Sequence, residues 1–191
     1  MAAKPGERKL QILQVLAHML EAPNGEKITT AGLAAKIGVS EAALYRHFAS
    51  KAQMFEGLIE FTEQTLFGLI NKITADEHSG VKQIESILTL LLGFAQKNPG
   101  MVRVLIGDAL VHENDRLQTR INQLHDRLES TLKQSLRIAA SQNEIPAALD
   151  AAAKANLLLC FVVGRWHQFA KSGFKRNPKE FWTAQWPELL G

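Results

Sequence analysis

Ile28-Thr29-Thr30-Ala31-Gly32-Leu33-Ala34-Ala35-Lys36-Ile37-Gly38-Val39-Ser40-Glu41-Ala42-Ala43-Leu44-Tyr45-Arg46-His47-Phe48 reads as two short helices crossing at a tight turn. Leu33, Ala34 and Ile37 give the first of them, about residues 30–37, one apolar edge to bury. Gly38 suits the left-handed conformation that ends a helix, because a side chain there would crowd the following carbonyl. Val39 then fills the angle between the helices, and the Ser40 hydroxyl is placed to cap the second, residues 41–48. On that second helix Leu44 and Phe48 are four apart and face inward together. Glu41, Ala42, Ala43, Tyr45, Arg46 and His47 are left outward, a face that is small at its tip and cationic or hydroxylated behind.

This layout suits the major groove of duplex DNA, where the first residues of a recognition helix meet base edges and the donors around it grip phosphates. Ala42 and Ala43 can approach a thymine methyl, and Glu41 can accept from cytosine N4. Arg46 matches either guanine O6 and N7 or a phosphate. Thr29, Thr30, Tyr45, His47 and Lys51 are candidate phosphate ligands, with Ser40 on the same surface. Lys51 opens the next helix, where free backbone amides also favour an anion.

Outward from this stretch, charge is uneven. Residues 1–51 hold seven bases (Lys4, Arg8, Lys9, Lys27, Lys36, Arg46, Lys51) against four acids (Glu7, Glu21, Glu26, Glu41). Of the 22 bases and 19 acids in the chain, fifteen of each lie beyond residue 51. A basic end on a neutral body fits contact with nucleic acid or with an anionic membrane surface.

Apolar residues recur at three and four along most of the chain, which predicts an all-α fold. A first helix is expected over residues 5–21, with Leu10, Ile12, Leu13, Leu16, Ala17 and Leu20 inward and Pro23-Asn24-Gly25 as its terminator. A long helix follows Ser50, which forms a capping box with Gln53. Its apolar residues, among them Phe61 and Leu69, are too many for one stripe. Another helix spans about 81–97, and Asn98-Pro99 reads as a cap and first turn. Leu117, Ile121, Leu124, Leu128, Leu132 and Leu136 draw one stripe over 115–137. A final long helix is expected over 147–171, with Asn177-Pro178-Lys179-Glu180 capping a short closing one that contains Trp182 and Trp186. The division that follows is a DNA-binding domain over 1–51 and a helical dimerisation and partner-binding domain over 52–191.

The single cysteine, Cys160, lies in the apolar run 157–163, where a buried thiol is expected and an internal disulfide is excluded. No run reaches the roughly 18 apolar residues of a membrane span, and residues 1–8 lack the apolar core of a signal peptide. A cytoplasmic protein is expected. There is no Gly-rich phosphate loop, no nucleophile elbow and no Cys or His pair at zinc spacing, and His112-Glu113 lacks a second histidine. The expectation is therefore a protein without catalytic activity, metal or cofactor.

Residues 28–51, particularly Gly38-Val39-Ser40, Leu44-Tyr45-Arg46-His47-Phe48 and Ser50-Lys51, resemble the DNA-binding module of TetR-type regulators. Residues 28–31, 39–48, 57–61, 90–94, 98–100, 115–118 and 120–124 further resemble one branch of that family. That resemblance implies binding to short chromosomal palindromes and, when DNA-bound, inhibition of FtsZ assembly, which prevents division over the nucleoid. It also implies an FtsZ-facing groove between the fourth and fifth helices, with Phe61, Leu90, Gly93, Lys97 and Asn98 as candidates. Leu69 departs from the pattern, since the family can carry a basic residue there. The TetR-type resemblance implies a homodimer, for which Leu157, Leu158, Phe161, Val162, Trp166 and Phe169 are candidate interface residues. Two other readings stay open on the sequence: a transcriptional repressor with a small apolar effector in its C-terminal core, and an interaction module whose basic end touches membrane.

Overall fold

The computed structural model describes residues 5–22 and 28–191, and the expected terminator Pro23-Asn24-Gly25 lies outside the described residues. All regular structure among the described residues is helical: α1 (Pro5–Met19), α2 (Thr30–Ile37), α3 (Glu41–Tyr45), α4 (Lys51–Asp76), α5 (Gly80–Lys97), α6 (Pro99–Leu105), α7 (Asp115–Ser141), α8 (Ala151–Lys171) and α9 (Trp182–Leu190), with a 3-10 turn at Asp108–Leu110. The chain divides into two compact units, residues 1–62 with 98–121, and residues 63–97 with 122–191. Of the three boundaries along the chain, the first falls inside α4 and the last inside α7, while the middle one separates α5 from α6.

The first unit is built on α1, α2 and α3 with the first part of α4. Ile12 and Leu16 of α1, Leu33 and Ala34 of α2, Leu44 of α3 and Met54, Phe55 and Leu58 of α4 are all 3% exposed or less. Leu10 departs from its expected inward place and is 43% exposed, because it lies about 200° around the helix from Ile12. The start of α6 packs so closely on α1 that a Cβ at Gly100 would collide with the Ala17 carbonyl. From α6 the buried Arg103 donates to the Ala22 carbonyl at 3.2 Å and pairs with Asp108 at 3.0 Å. Asn98 precedes α6 as expected, but its side chain makes no capping hydrogen bond.

The second unit centres on α5, α7 and α8. Ile84, Ile87, Leu88, Leu91 and Leu92 of α5 are fully buried, as are Leu128, Leu132 and Leu136 of α7. Trp166 of α8 is buried as well and donates its indole N–H to the Leu91 carbonyl at 3.1 Å, which satisfies its one polar atom. The first turn of α5 is held from the segment after α7, where the Gln142 and Glu144 side chains accept from the Gly80 and Val81 amides at 3.2 and 2.9 Å. α8 begins at Ala151 rather than 147, because the Asp150 carboxylate accepts from the Ala152 and Ala153 amides and so fixes the cap.

Cys160 is exposed, contrary to the expectation of burial, because the apolar run around it exceeds what one face of α8 can bury. Asn177 does not cap the closing helix. Its side chain accepts from the Lys179 amide within a preceding turn, and α9 starts afresh after Phe181, which has φ of 64°.

Candidate nucleic-acid interface

The two-helix turn is set by three local devices. The Thr29 hydroxyl accepts from the Gly32 amide at 3.0 Å and starts α2. Gly38 closes it in the left-handed conformation, φ 76° and ψ 38°, and the Val39 amide reaches back to the Ala34 carbonyl at 3.0 Å. The Ser40 hydroxyl then accepts from the Ala43 amide at 3.2 Å and starts α3. Leu33, Ala34, Leu44 and Phe48 are buried beneath the pair. α3 ends at Tyr45, short of the expected Phe48, since the His47 and Phe48 amides both bond the Leu44 carbonyl and tighten the chain into a turn.

Outside this core Ser40, Glu41, Ala42, Tyr45 and Arg46 are exposed, while Ala43 and His47 are half-buried. Thr29 is exposed and Thr30 half-buried. Three of these residues are joined: Thr30 donates to the Glu41 carboxylate at 2.6 Å, and the Tyr45 hydroxyl donates to Thr30 at 3.5 Å. Glu41 is thereby held across the tip of α3 by α2. Arg46 and His47 line a cleft with Arg8 of α1, floored by Ile12, Val39 and Leu44. Arg8 was not singled out by the sequence pattern. Its one signal is its place four residues before Ile12, which puts it on the same face of α1.

The cap of α4 follows the expected box, with Ser50 accepting from the Gln53 amide at 3.2 Å and Gln53 from the Ala49 amide at 2.8 Å. Lys51, the first residue of α4, does not project freely. Its ammonium is ion-paired with Glu113, in the turn before α7, and lies 5.7 Å from the centre of the Phe55 ring. Beside it Glu56 of α4 pairs with Arg116 of α7 at 2.8 Å.

Of the residues assigned to a partner groove, Phe61 belongs to the first unit and is 49% exposed. Asn98 is also in the first unit and half-buried. Leu90, Gly93 and Lys97 belong to the second unit, where their spacing of three and four puts them on one side of α5. Leu90 is half-buried, Lys97 is exposed, and the Lys179 side chain lies over Gly93. On α8, Leu157 is 51% exposed and Phe161 half-buried, its ring 6.1 Å from that of Trp182. Leu158, Val162, Trp166 and Phe169, assigned to a dimer interface from the sequence, are instead buried within the chain itself. Among the described residues no helix is long and apolar enough to cross a membrane, and no cluster of three or more His, Cys, Asp or Glu is placed to hold a metal.

A helix pair with a buried inner side and an outward face that is small at its tip and polar or cationic behind has the form of a helix-turn-helix, the DNA-binding element of many regulators. Residues 13–58 match the family model described as bacterial regulatory proteins of the tetR family, and residues 78–191 match that of the tetracyclin repressor-like C-terminal domain. Among solved structures, the fatty acid degradation regulator FadR of Bacillus halodurans superposes with a TM-score of 0.81 at 12% identity, covering 100% of this chain and 97% of that one. A TetR-family regulator of Agrobacterium tumefaciens gives 0.81 at 15%, covering 97% of both chains. The narrower match is in sequence. The nucleoid occlusion factor SlmA of Alteromonas mediterranea is 54% identical over 97% of this chain and 95% of its own length. That of Marinomonas sp. is 50% identical over 99% and 96%. The chain belongs to the SlmA family of nucleoid occlusion factors, within the TetR-type regulators.

Proposed function

We propose that this protein binds palindromic chromosomal DNA as a homodimer and, when DNA-bound, inhibits FtsZ assembly, so that division does not proceed over the nucleoid. Membership of the SlmA family supports the reading. The structural observation that carries it is the outward tip of α3, where Ala42 and Tyr45 stand exposed beside Arg46 over a buried Leu44. Small residues at the tip let the helix sit deep in the major groove, and the surrounding hydroxyls and cations supply phosphate donors. Thr29, Thr30, Ser40, Glu41, Ala42, Ala43, Tyr45, Arg46, His47 and Lys51 form the proposed DNA surface, with Glu41 reading a base through the oxygen not engaged by Thr30.

In functional terms residues 1–51 read DNA and residues 52–191 dimerise and hold the partner. One module covers one half-site, so a two-fold dimer is needed to span grooves roughly 34 Å apart or a multiple of it. Its interface is proposed on the outward side of α8. Leu157 and Phe161 carry it, seated on the buried Leu158, Val162, Trp166 and Phe169. Phe61, Leu90, Gly93, Lys97 and Asn98 are the proposed FtsZ contacts, an aromatic and a leucine for apolar side chains and a lysine for an acidic peptide.

The test is FtsZ sedimentation with GTP and this protein at one salt concentration, comparing a palindromic duplex with a scrambled one. Loss of pelleted polymer with the palindrome alone is expected. Unchanged FtsZ alongside tight palindrome binding would instead assign the protein to transcriptional repression.

A further inference from the structure

Lys51 presents a conflict of partners. As the first residue of α4, directly after the helix-turn-helix, it stands where a cation and free backbone amides would meet a DNA phosphate. Yet its ammonium is engaged by the Glu113 carboxylate, and the two side chains are only 21% and 13% exposed. A pair this sheltered is screened less than a surface pair, so the carboxylate is a substantial competitor. Its position is fixed on both sides. The Glu113 amide bonds the Leu110 carbonyl at 2.9 Å, and three residues on Arg116 is tied to Glu56 of α4.

We infer that Glu113 sets the DNA affinity of this protein by competing with a backbone phosphate for the Lys51 ammonium. In the free protein the carboxylate holds the charge; on DNA the phosphate takes it, and the turn between α6 and α7 is released from α4. The competition acts on affinity and not on base choice, because a phosphate carries no sequence information. The inference rests on the DNA-binding reading of residues 28–51.

The experiment is fluorescence anisotropy of palindromic and scrambled duplexes at one salt concentration, with the full-length protein and Glu113→Gln, Lys51→Ala, the double variant, Glu56→Gln and Arg46→Ala. Glu113→Gln is expected to tighten both duplexes equally, by about two- to tenfold. Lys51→Ala weakens both, and the double variant matches Lys51→Ala alone, because without the ammonium there is nothing to compete for. Glu56→Gln opens the neighbouring bridge without freeing Lys51 and leaves affinity unchanged, which separates competition from a loosened seam. Weaker binding by Glu113→Gln with an unchanged melting temperature would overturn the inference, making Glu113 a group that orients Lys51 for DNA. Unchanged affinity of Lys51→Ala beside a weakened Arg46→Ala would overturn it too, leaving the recognition helix intact. Failure of the wild type to bind either duplex would sink the DNA-binding reading itself.

Discussion

Gly38 shows how one residue positions a functional surface. Nothing lies within 4 Å of where its Cβ would be, so space is not what excludes a side chain; the φ of 76° is. Gly38→Ala should therefore destabilise the fold by about 1 kcal/mol through backbone strain alone. That is a fall of about 3 °C in melting temperature for a chain of this size, with Gly38→Asn losing less, and calorimetry can check both. Residue types at this turn were legible because each answers a local requirement: a cap at Ser40, a left-handed closure at Gly38, a buried Leu44. The partners of Lys51 and Arg103 were not legible. Glu113 is 62 positions from Lys51 and Ala22 is 81 from Arg103, and no periodic pattern links such distant positions.

At the scale of elements, the stripe on α7 was the clearest signal, and Leu117, Ile121, Leu124, Leu128, Leu132 and Leu136 are all 1% exposed or less. A helix with one buried face writes that face in its spacing. Ends were harder, because caps are decided by single side chains: with Asp150 as its cap, α8 starts four residues later than the apolar pattern suggests. The same dependence on single carboxylates makes two helix starts sensitive to acid. Hydrogen bonds from Ser79 and the Val81 amide hold the Glu144 carboxyl below the 4.5 of an ordinary glutamate. Bonds from the Ala153 and Ala152 amides hold Asp150 below 3.8. Each depressed group stabilises the fold above its unfolded value and loses that contribution as pH falls through the folded one. Denaturant unfolding of Glu144→Gln against wild type should thus show a difference at pH 6 to 7 that narrows as pH falls below about 4.5. A difference that stays constant down to pH 2 would mean that the carboxylate charge contributes nothing to the start of α5.

At the scale of the whole molecule, the proposed dimer needs a surface that a single chain leaves uncovered. Leu157 is 51% exposed and Cys160 is exposed beside it, so a charge placed there is solvated in the monomer and costs little folding stability. In a dimer it would be buried without a partner. Leu157→Glu is therefore expected to weaken self-association by about 2 kcal/mol or more, read by sedimentation velocity, with unchanged helicity and reduced affinity for a palindrome. A fully dimeric Leu157→Glu would move the interface off this face of α8.

The two compact units share α4 and α7, each of which contributes residues to both. Each of these helices runs unbroken across its division, part of it counted with one unit and part with the other. The expected behaviour is a single heat-absorption peak whose calorimetric and van't Hoff enthalpies agree per folding unit, and amide exchange in the middle of α4 and α7 limited by global unfolding alone. The proposed division of labour between a DNA-reading and a partner-holding segment would then rest on two continuous helices, and a lesion in either segment is expected to lower the abundance of both proposed activities together.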